Sequence, residues 1–273
     1  MNKLDQKYEI VLEKLQNEFL SYKKVLVALS GGVDSCLALY LGRQVLGRNK
    51  VIGVIAKSPS LKNKDYQIAV DFCEENDIVH NTIYTEELSN ENYSSNPTNR
   101  CYFCKSELYD KMHKLIKEKY NGYKIVNGNN YSDLGDYRPG LEASKEQNVM
   151  SPFVFCNVLK EDIRYLAKYY KLSVWDKPAS PCLSSRFPYG EGITSDKLNR
   201  VEKAEEIMNT FGFDEVRVRS YGDLAKLEVP KEKLSLLSKF YDQIEDKIKS
   251  IGFAKCEIDE EGFLSGKLNR VLK

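Results

Sequence analysis

Two hydrophobic periods alternate along the chain. Residues 4–20 set apolar side chains among charged ones at helical spacing, which predicts an amphipathic helix. An unbroken apolar, β-branched run follows at 24–29 (KVLVAL), the pattern of a parallel strand buried on both faces. The alternation continues with a helix at 36–46, a strand at 50–56 (KVIGVIA), a helix at 66–76 and a strand around 82–85. A polar stretch at 88–100, with Asn, Ser and Pro, predicts a loop that delivers Cys101 and Cys104. Beyond it come a helix at 105–120, a strand at 123–127 running into the turn-prone GNN at 128–130, and a helix at 159–170. Such alternation predicts an α/β fold, with a doubly wound parallel sheet in the first two thirds of the chain.

Around 178–192 the composition shifts to Pro, Ser and Gly. This divides the chain into an expected nucleotide domain at 1–190 and a smaller α+β domain at 191–273, expected to bind substrate and to assemble the oligomer. The second predicts a helix at 196–211, strands at 215–220 and 224–229, a helix at 231–251, and a hairpin-like pair at 254–258 and 262–264. No internal repeat or low-complexity tract interrupts the pattern.

Composition adds exclusions. With 42% hydrophobic and 30% charged residues, the chain can build a core and is not of the disordered class. Its net charge of +1 lacks the basic excess that phosphate neutralisation demands of a nucleic-acid binder. The first 18 residues are polar and mixed in charge, unlike a signal peptide, and no apolar run approaches the ~20 residues that span a bilayer. A cytoplasmic protein with no membrane partner is expected. In a reducing compartment its seven cysteines point to metal binding or chemistry rather than disulfides.

The run SGGVDS at 30–35 joins the first strand to the first following helix. There the backbone N–H groups and the helix dipole favour an anion. Gly31 and Gly32 let the backbone approach phosphate, and Ser30 and Ser35 can donate to its oxygens. Asp34 suits such a site if Mg²⁺ lies between its carboxylate and the phosphates. The other reading is an ordinary strand–helix turn. The loop lacks the Gly-Lys-Ser/Thr ending of kinase-type loops and the G-x-G-x-x-G of dinucleotide folds. It resembles the PP-loop of the N-type ATP pyrophosphatase superfamily. That resemblance implies cleavage of ATP between its α and β phosphates, with adenylation of a carbonyl or carboxylate oxygen.

Cys101 and Cys104 form a C-x-x-C, and Cys182 lies in SPCLSSRFPYG at 180–190. A redox pair or chance is the alternative for a lone C-x-x-C. A structural zinc site closes with four Cys or His ligands, whereas the chain has two histidines, His80 and His113, and no second C-x-x-C. Three cysteines suit a 4Fe–4S cluster held at three irons with the fourth open. Cys36, Cys73 and Cys156 sit in or beside apolar runs and read as core fillers, while Cys256 is ambiguous. Neither histidine falls in a motif, so no catalytic histidine is expected. Arg217 and Arg219 alternate along a predicted strand and share one face, an arrangement suited to a phosphate or to ordinary surface ion pairs.

The runs at 127–143 (NGNNYSDLGDYRPGLEA), 180–190 and 217–229 (RVRSYGDLAKLEV) together resemble the LarE family of sulfur transferases, which help build the nickel-pincer nucleotide cofactor of lactate racemase. The resemblance covers nearly the whole chain. It implies adenylation of a carboxylate of pyridinium-3,5-biscarboxylate mononucleotide, followed by replacement of an oxygen with sulfur. Some members sacrifice the sulfur of one cysteine, matching Cys182; others hold a 4Fe–4S cluster on three cysteines and pass on sulfide from the open iron. Cys101 and Cys104 favour the cluster type here. The resemblance also assigns Ser185, Arg217 and Arg219 to the substrate phosphate. Glu228 and Asp223 are then candidates to orient the arginines or bind metal, and Asp133, Asp136, Arg138 and Glu191 to support the site wall. Expected partners are a small nucleotide, a sulfide or other sulfur donor, and copies of the same chain. The competing classes are a transfer-RNA thiolation enzyme with the same loop, an amide-forming synthetase, and an ATP-binding regulator with a redox cluster.

Overall fold

The computed structural model describes residues 5–264 and 266–272. Two compact units divide the chain: Met1–Glu87 with Asn99–Ser180, and Leu88–Thr98 with Pro181–Lys273.

The first unit begins with α1 (Gln6–Tyr22), capped by the Asp5 side chain, which accepts from the Lys7 backbone N–H. There follow β1 (Val25–Leu29), α2 (Val33–Leu46), β2 (Val51–Lys57), α3 (Asn63–Glu75) and β3 (Val79–Tyr84). The short α4 (Glu91–Ser94) belongs to the second unit. The first resumes with α5 (Arg100–Glu118), β4 (Lys124–Val126), α6 (Gly140–Glu146), α7 (Pro152–Phe155) and α8 (Lys160–Tyr169). Its four strands are all parallel, in the order β3-β2-β1-β4, so the expected parallel α/β sheet is present. The apolar run of β1 is explained by burial on both faces. Val25, Val27 and Leu29 join a core with α1, α2, α3 and α8, whereas Leu26 and Ala28 face a second core with Leu108, Tyr109 and Met112 of α5.

Local boundaries differ at one functional place. Cys101 and Cys104 lie not on a loop but in the first turns of α5, which starts at Arg100. The helices at 140–146 and 152–155 fall where no helix is predicted, because each is only one or two turns long and too short to show a period.

The second unit holds α9 (Ser195–Thr210), β5 (Arg217–Tyr221), β6 (Leu224–Glu228), α10 (Leu234–Ser250) and β7 (Lys255–Ile258). Its sheet order is β5-β6-β7, with β5 and β6 antiparallel across the turn at Gly222 and Asp223. The hairpin expected at 254–264 does not form. β7 pairs with β6 in parallel, since the α10 crossover returns the chain to the same end of the sheet, and the described residues of 262–264 are not strand. Residues 181–190 sit in this unit because Leu183 and Phe187 pack into its core beside Leu198, Val218 and Leu227. The 88–98 segment is bound to them: the buried Tyr93 hydroxyl meets Ser184 Oγ at 2.6 Å, and Asn96 Nδ2 donates to the Pro188 carbonyl at 2.7 Å.

Candidate active site

The loop at 30–35 lies at the carboxyl end of β1, where open parallel sheets bind ligands. Its two serines brace it from within. Ser35 Oγ accepts from the Ser30 backbone N–H at 3.1 Å and donates to the Gly32 carbonyl at 3.1 Å, and the two hydroxyls lie 3.1 Å apart. Gly31 has φ +70°, and a Cβ there would stand 2.6 Å from the Asp65 carbonyl. No other residue suits that position. A Cβ on Gly128, in the turn after β4, would lie 2.6 Å from the Ser35 nitrogen, so the 128–130 turn runs directly against the loop.

Side chains from distant segments hold this loop. Lys177 Nζ donates to the Gly31 carbonyl at 2.7 Å and pairs with Asp65 at 2.8 Å, and Ser180 Oγ donates to the other Asp65 oxygen at 2.7 Å. Asp34, in the first turn of α2, accepts from Asn130 Nδ2 at 3.1 Å on one oxygen and forms an ion pair with Lys160 on the other. Asn130 is itself fixed, its backbone N–H donating to Asp133 at 3.0 Å. Asp133 also pairs with Arg138 at 2.8 Å, and Arg138 reaches Asp136 at 3.5 Å. Thus Asp133 supports Asn130 directly, and Asp136 lies at the exposed end of the same chain of contacts. Lys160, Lys177 and Asn130 were not singled out by sequence; the one signal available was the turn-prone GNN.

The second unit concentrates guanidiniums around Ser185. Arg217 and Arg219 are both 6% exposed, which removes the reading of a solvated strand face. Arg219 pairs with Glu228 at 2.9 Å and donates to the Ser185 carbonyl at 2.6 Å. Arg217 donates to the Val216 carbonyl at 2.8 Å and stacks over Phe263. Burial, with Arg186 nearby, pulls its pKa down to about 10. Arg186, fully buried and unanticipated, makes a bidentate pair with Glu205 at 2.7 and 3.0 Å and donates to the Pro181 and Cys182 carbonyls and to Ser185 Oγ. It therefore shapes the turn that carries Cys182 and Ser185. Glu191 accepts from Lys197 and the Gly222 N–H, while the exposed Asp223 pairs with Arg200 at 3.5 Å.

The cysteines divide by environment. Cys36, Cys73 and Cys256 are buried, and burial pushes the Cys73 and Cys256 thiols up to about 12 and the Cys36 thiol higher still. The half-buried Cys156 is pushed up to about 11 for the same reason. Cys101 is exposed, and Cys104 stands one helical turn further along α5, partly exposed. Cys182, also partly exposed, heads a 3₁₀ turn in the second unit. Among the described residues no group of three His, Cys, Asp or Glu side chains is placed to hold a metal ion. The chemistry of the donors is still informative: three accessible thiols are soft ligands suited to iron–sulfur chemistry and unsuited to Mg²⁺. His80 and His113 are half-buried on β3 and α5, outside both clusters. No described helix is long and apolar enough to cross a membrane.

A parallel α/β unit with a Ser-Gly-Gly-x-Asp-Ser loop after its first strand defines a PP-loop ATP-using enzyme, and the family model for NAD synthase matches residues 5–102. Over 250 residues the chain is 33% identical to the pyridinium-3,5-bisthiocarboxylic acid mononucleotide synthase of Lactiplantibacillus plantarum, covering 92% of this chain and 90% of that one. The chain belongs to that synthase's family, the LarE family. It is also 42% identical over 266 residues to an uncharacterized protein of Synechocystis sp., covering 97% and 98% of the two chains. An uncharacterized protein of Methanocaldococcus jannaschii is 31% identical over 257 residues, with 93% and 97% covered.

Proposed function

We propose that this enzyme is an ATP-dependent sulfur transferase that converts a carboxylate of pyridinium-3,5-biscarboxylate mononucleotide into a thiocarboxylate. The observation that carries the reading is the braced loop at 30–35, with Gly31 packed against the Asp65 carbonyl and Asp34 at its edge. The named relative from L. plantarum supplies the substrate class. In the first step a substrate carboxylate oxygen bonds to the α-phosphorus of ATP. The bond from that phosphorus to the β-phosphate oxygen breaks, and pyrophosphate leaves with the electron pair. Sulfur then bonds to the activated acyl carbon, and AMP leaves as its C–O bond breaks.

Within this reading, Ser30, Gly31, Gly32 and Ser35 receive the pyrophosphate, and Asp34 is the carboxylate for Mg²⁺. Mg²⁺ supplies charge neutralisation on the phosphates. Ser185, Arg217 and Arg219 take the phosphate of the nucleotide substrate, with Glu228 orienting Arg219. Cys101, Cys104 and Cys182 would hold a 4Fe–4S cluster, which when bound offers one iron for a transferable sulfide. The partners are a sulfur donor and further copies of the chain, with no nucleic acid.

The test is product analysis by mass spectrometry after anaerobic incubation with ATP, Mg²⁺, sulfide and the biscarboxylate mononucleotide. The expected result is substrate-dependent AMP and pyrophosphate, with an oxygen of the substrate exchanged for sulfur over many turnovers. Pyrophosphate formed without the mononucleotide but with transfer RNA would overturn it. A single turnover that strips the sulfur from Cys182 would retain the reaction and remove the cluster.

A further inference from the structure

We propose that Lys160, which pairs with Asp34, is a phosphate-binding residue of this site and transfers to the pyrophosphate side of ATP when nucleotide and Mg²⁺ bind. The inference deepens the adenylation reading and rests on it.

An anion loop with a carboxylate at its edge has an electrostatic conflict, because Asp34 repels the ligand that the backbone N–H groups attract. The structure resolves it with Lys160, whose ammonium pairs with one Asp34 oxygen while Asn130 occupies the other. The lysine is aimed by the fold. It opens α8, and its backbone N–H donates at 3.1 Å to Ser132 Oγ, in the turn that also contains Asp133, the anchor of Asn130. Lys160 and Asn130 therefore approach Asp34 from one braced assembly.

The pairing is also built to be exchanged. The Lys160 side chain is 37% exposed and that of Asp34 24%, so neither charge is locked in a dry interior. Mg²⁺, if held by Asp34, would supply the charge compensation that Lys160 now gives the carboxylate. The displaced ammonium, a compact charge on a flexible stem, would then find its nearest anion in the β and γ phosphates. There it opposes the charge that builds on the leaving pyrophosphate.

The experiment compares two ligands on the full chain by calorimetry in Mg²⁺: α,β-methylene ATP, which carries the β and γ phosphates and is not cleaved between α and β, and AMP, which lacks them. K160M is expected to weaken the ATP analogue about tenfold or more, the effect of losing a charge-assisted contact. AMP affinity should stay within about twofold on the same scale, and K160R should recover most of the loss. An analogue-to-AMP affinity ratio unchanged in K160M, whether both ligands weaken or neither does, overturns the role of Lys160. A wild-type chain that binds neither ligand overturns the adenylation reading itself.

Discussion

Lys177 Nζ lies 2.7 Å from the carbonyl of Gly31, 146 residues earlier in the chain, while pairing with Asp65 at 2.8 Å. One ammonium thus ties the anion loop to the start of α3. Lys177→Met would leave the Asp65 carboxylate buried without its ammonium, with the Ser180 hydroxyl still donating to one oxygen. Removing one member of a buried pair costs about 3 kcal/mol, which lowers Tm by roughly 6–12 °C in a chain of this size. A thermal melt of the variant checks this, and a Tm within about 2 °C of wild type, under 1 kcal/mol on that scale, would sink the account.

Gly31 and Gly128 should be intolerant of even a methyl group. The left-handed conformation at Gly31 costs a non-glycine residue about 1–2 kcal/mol before the contact with the Asp65 carbonyl is counted. Gly31→Ala and Gly128→Ala are expected to keep their far-ultraviolet circular dichroism and to lose at least about tenfold in ATP–pyrophosphate exchange, the effect of about 1.4 kcal/mol at the transition state. Unchanged exchange in both variants would show that the loop does not hold the pyrophosphate.

The Arg186–Glu205 pair predicts an asymmetry between variants. Both side chains are almost fully buried, so Glu205→Ala strands a guanidinium and should destabilise by about 3–5 kcal/mol. Asp223→Ala, which removes an exposed partner of Arg200, should change stability by under about 1 kcal/mol. Chemical denaturation of the two variants side by side is the measurement.

Cysteine alkylation at pH 8 should separate the thiols by environment. A raised pKa keeps a thiol protonated until the pH approaches it, so Cys73 and Cys256, pushed up to about 12, carry little thiolate at pH 8. The still higher Cys36 carries less. Peptide mapping after brief iodoacetamide treatment is expected to find Cys101 and Cys182 labelled, with the three buried thiols protected until denaturant is added. Rapid labelling of Cys36 in native protein would contradict the packing around it.

The sequence announces the parts of this protein whose cause is local. The apolar run of β1 is fully buried and legible as such, and that of β2, buried from Val51 to Ile55, is legible as a strand. β3 was legible only in part, because it lies at the sheet edge and its Val79, His80 and Asn81 carry no apolar run. The serines and glycines at 30–35 are visible because close approach to an anion restricts residue type. Lys160 and Lys177 are invisible, since a lysine looks like any surface residue until the fold brings it to Asp34 or Gly31. Arg186 and Glu205 are hidden for the opposite reason: charged residues read as solvated, and only the packing around Leu183 and Phe187 buries them. The start of α5 was misplaced because Cys, Tyr and Phe are weak helix formers and Pro97 reads as a loop.

The 88–98 segment has a consequence for biosynthesis. Tyr93 and Asn96 leave the ribosome some ninety residues before Ser184 and Pro188, the groups they bind. The strands of the parallel sheet are all complete by Val126, so that unit can begin to form while the 88–98 stretch still has nothing to bury itself in. A nascent chain arrested between residues 127 and 180 therefore displays Tyr93 to solvent or to a chaperone, and the second unit closes only after the C-terminal residues have been made.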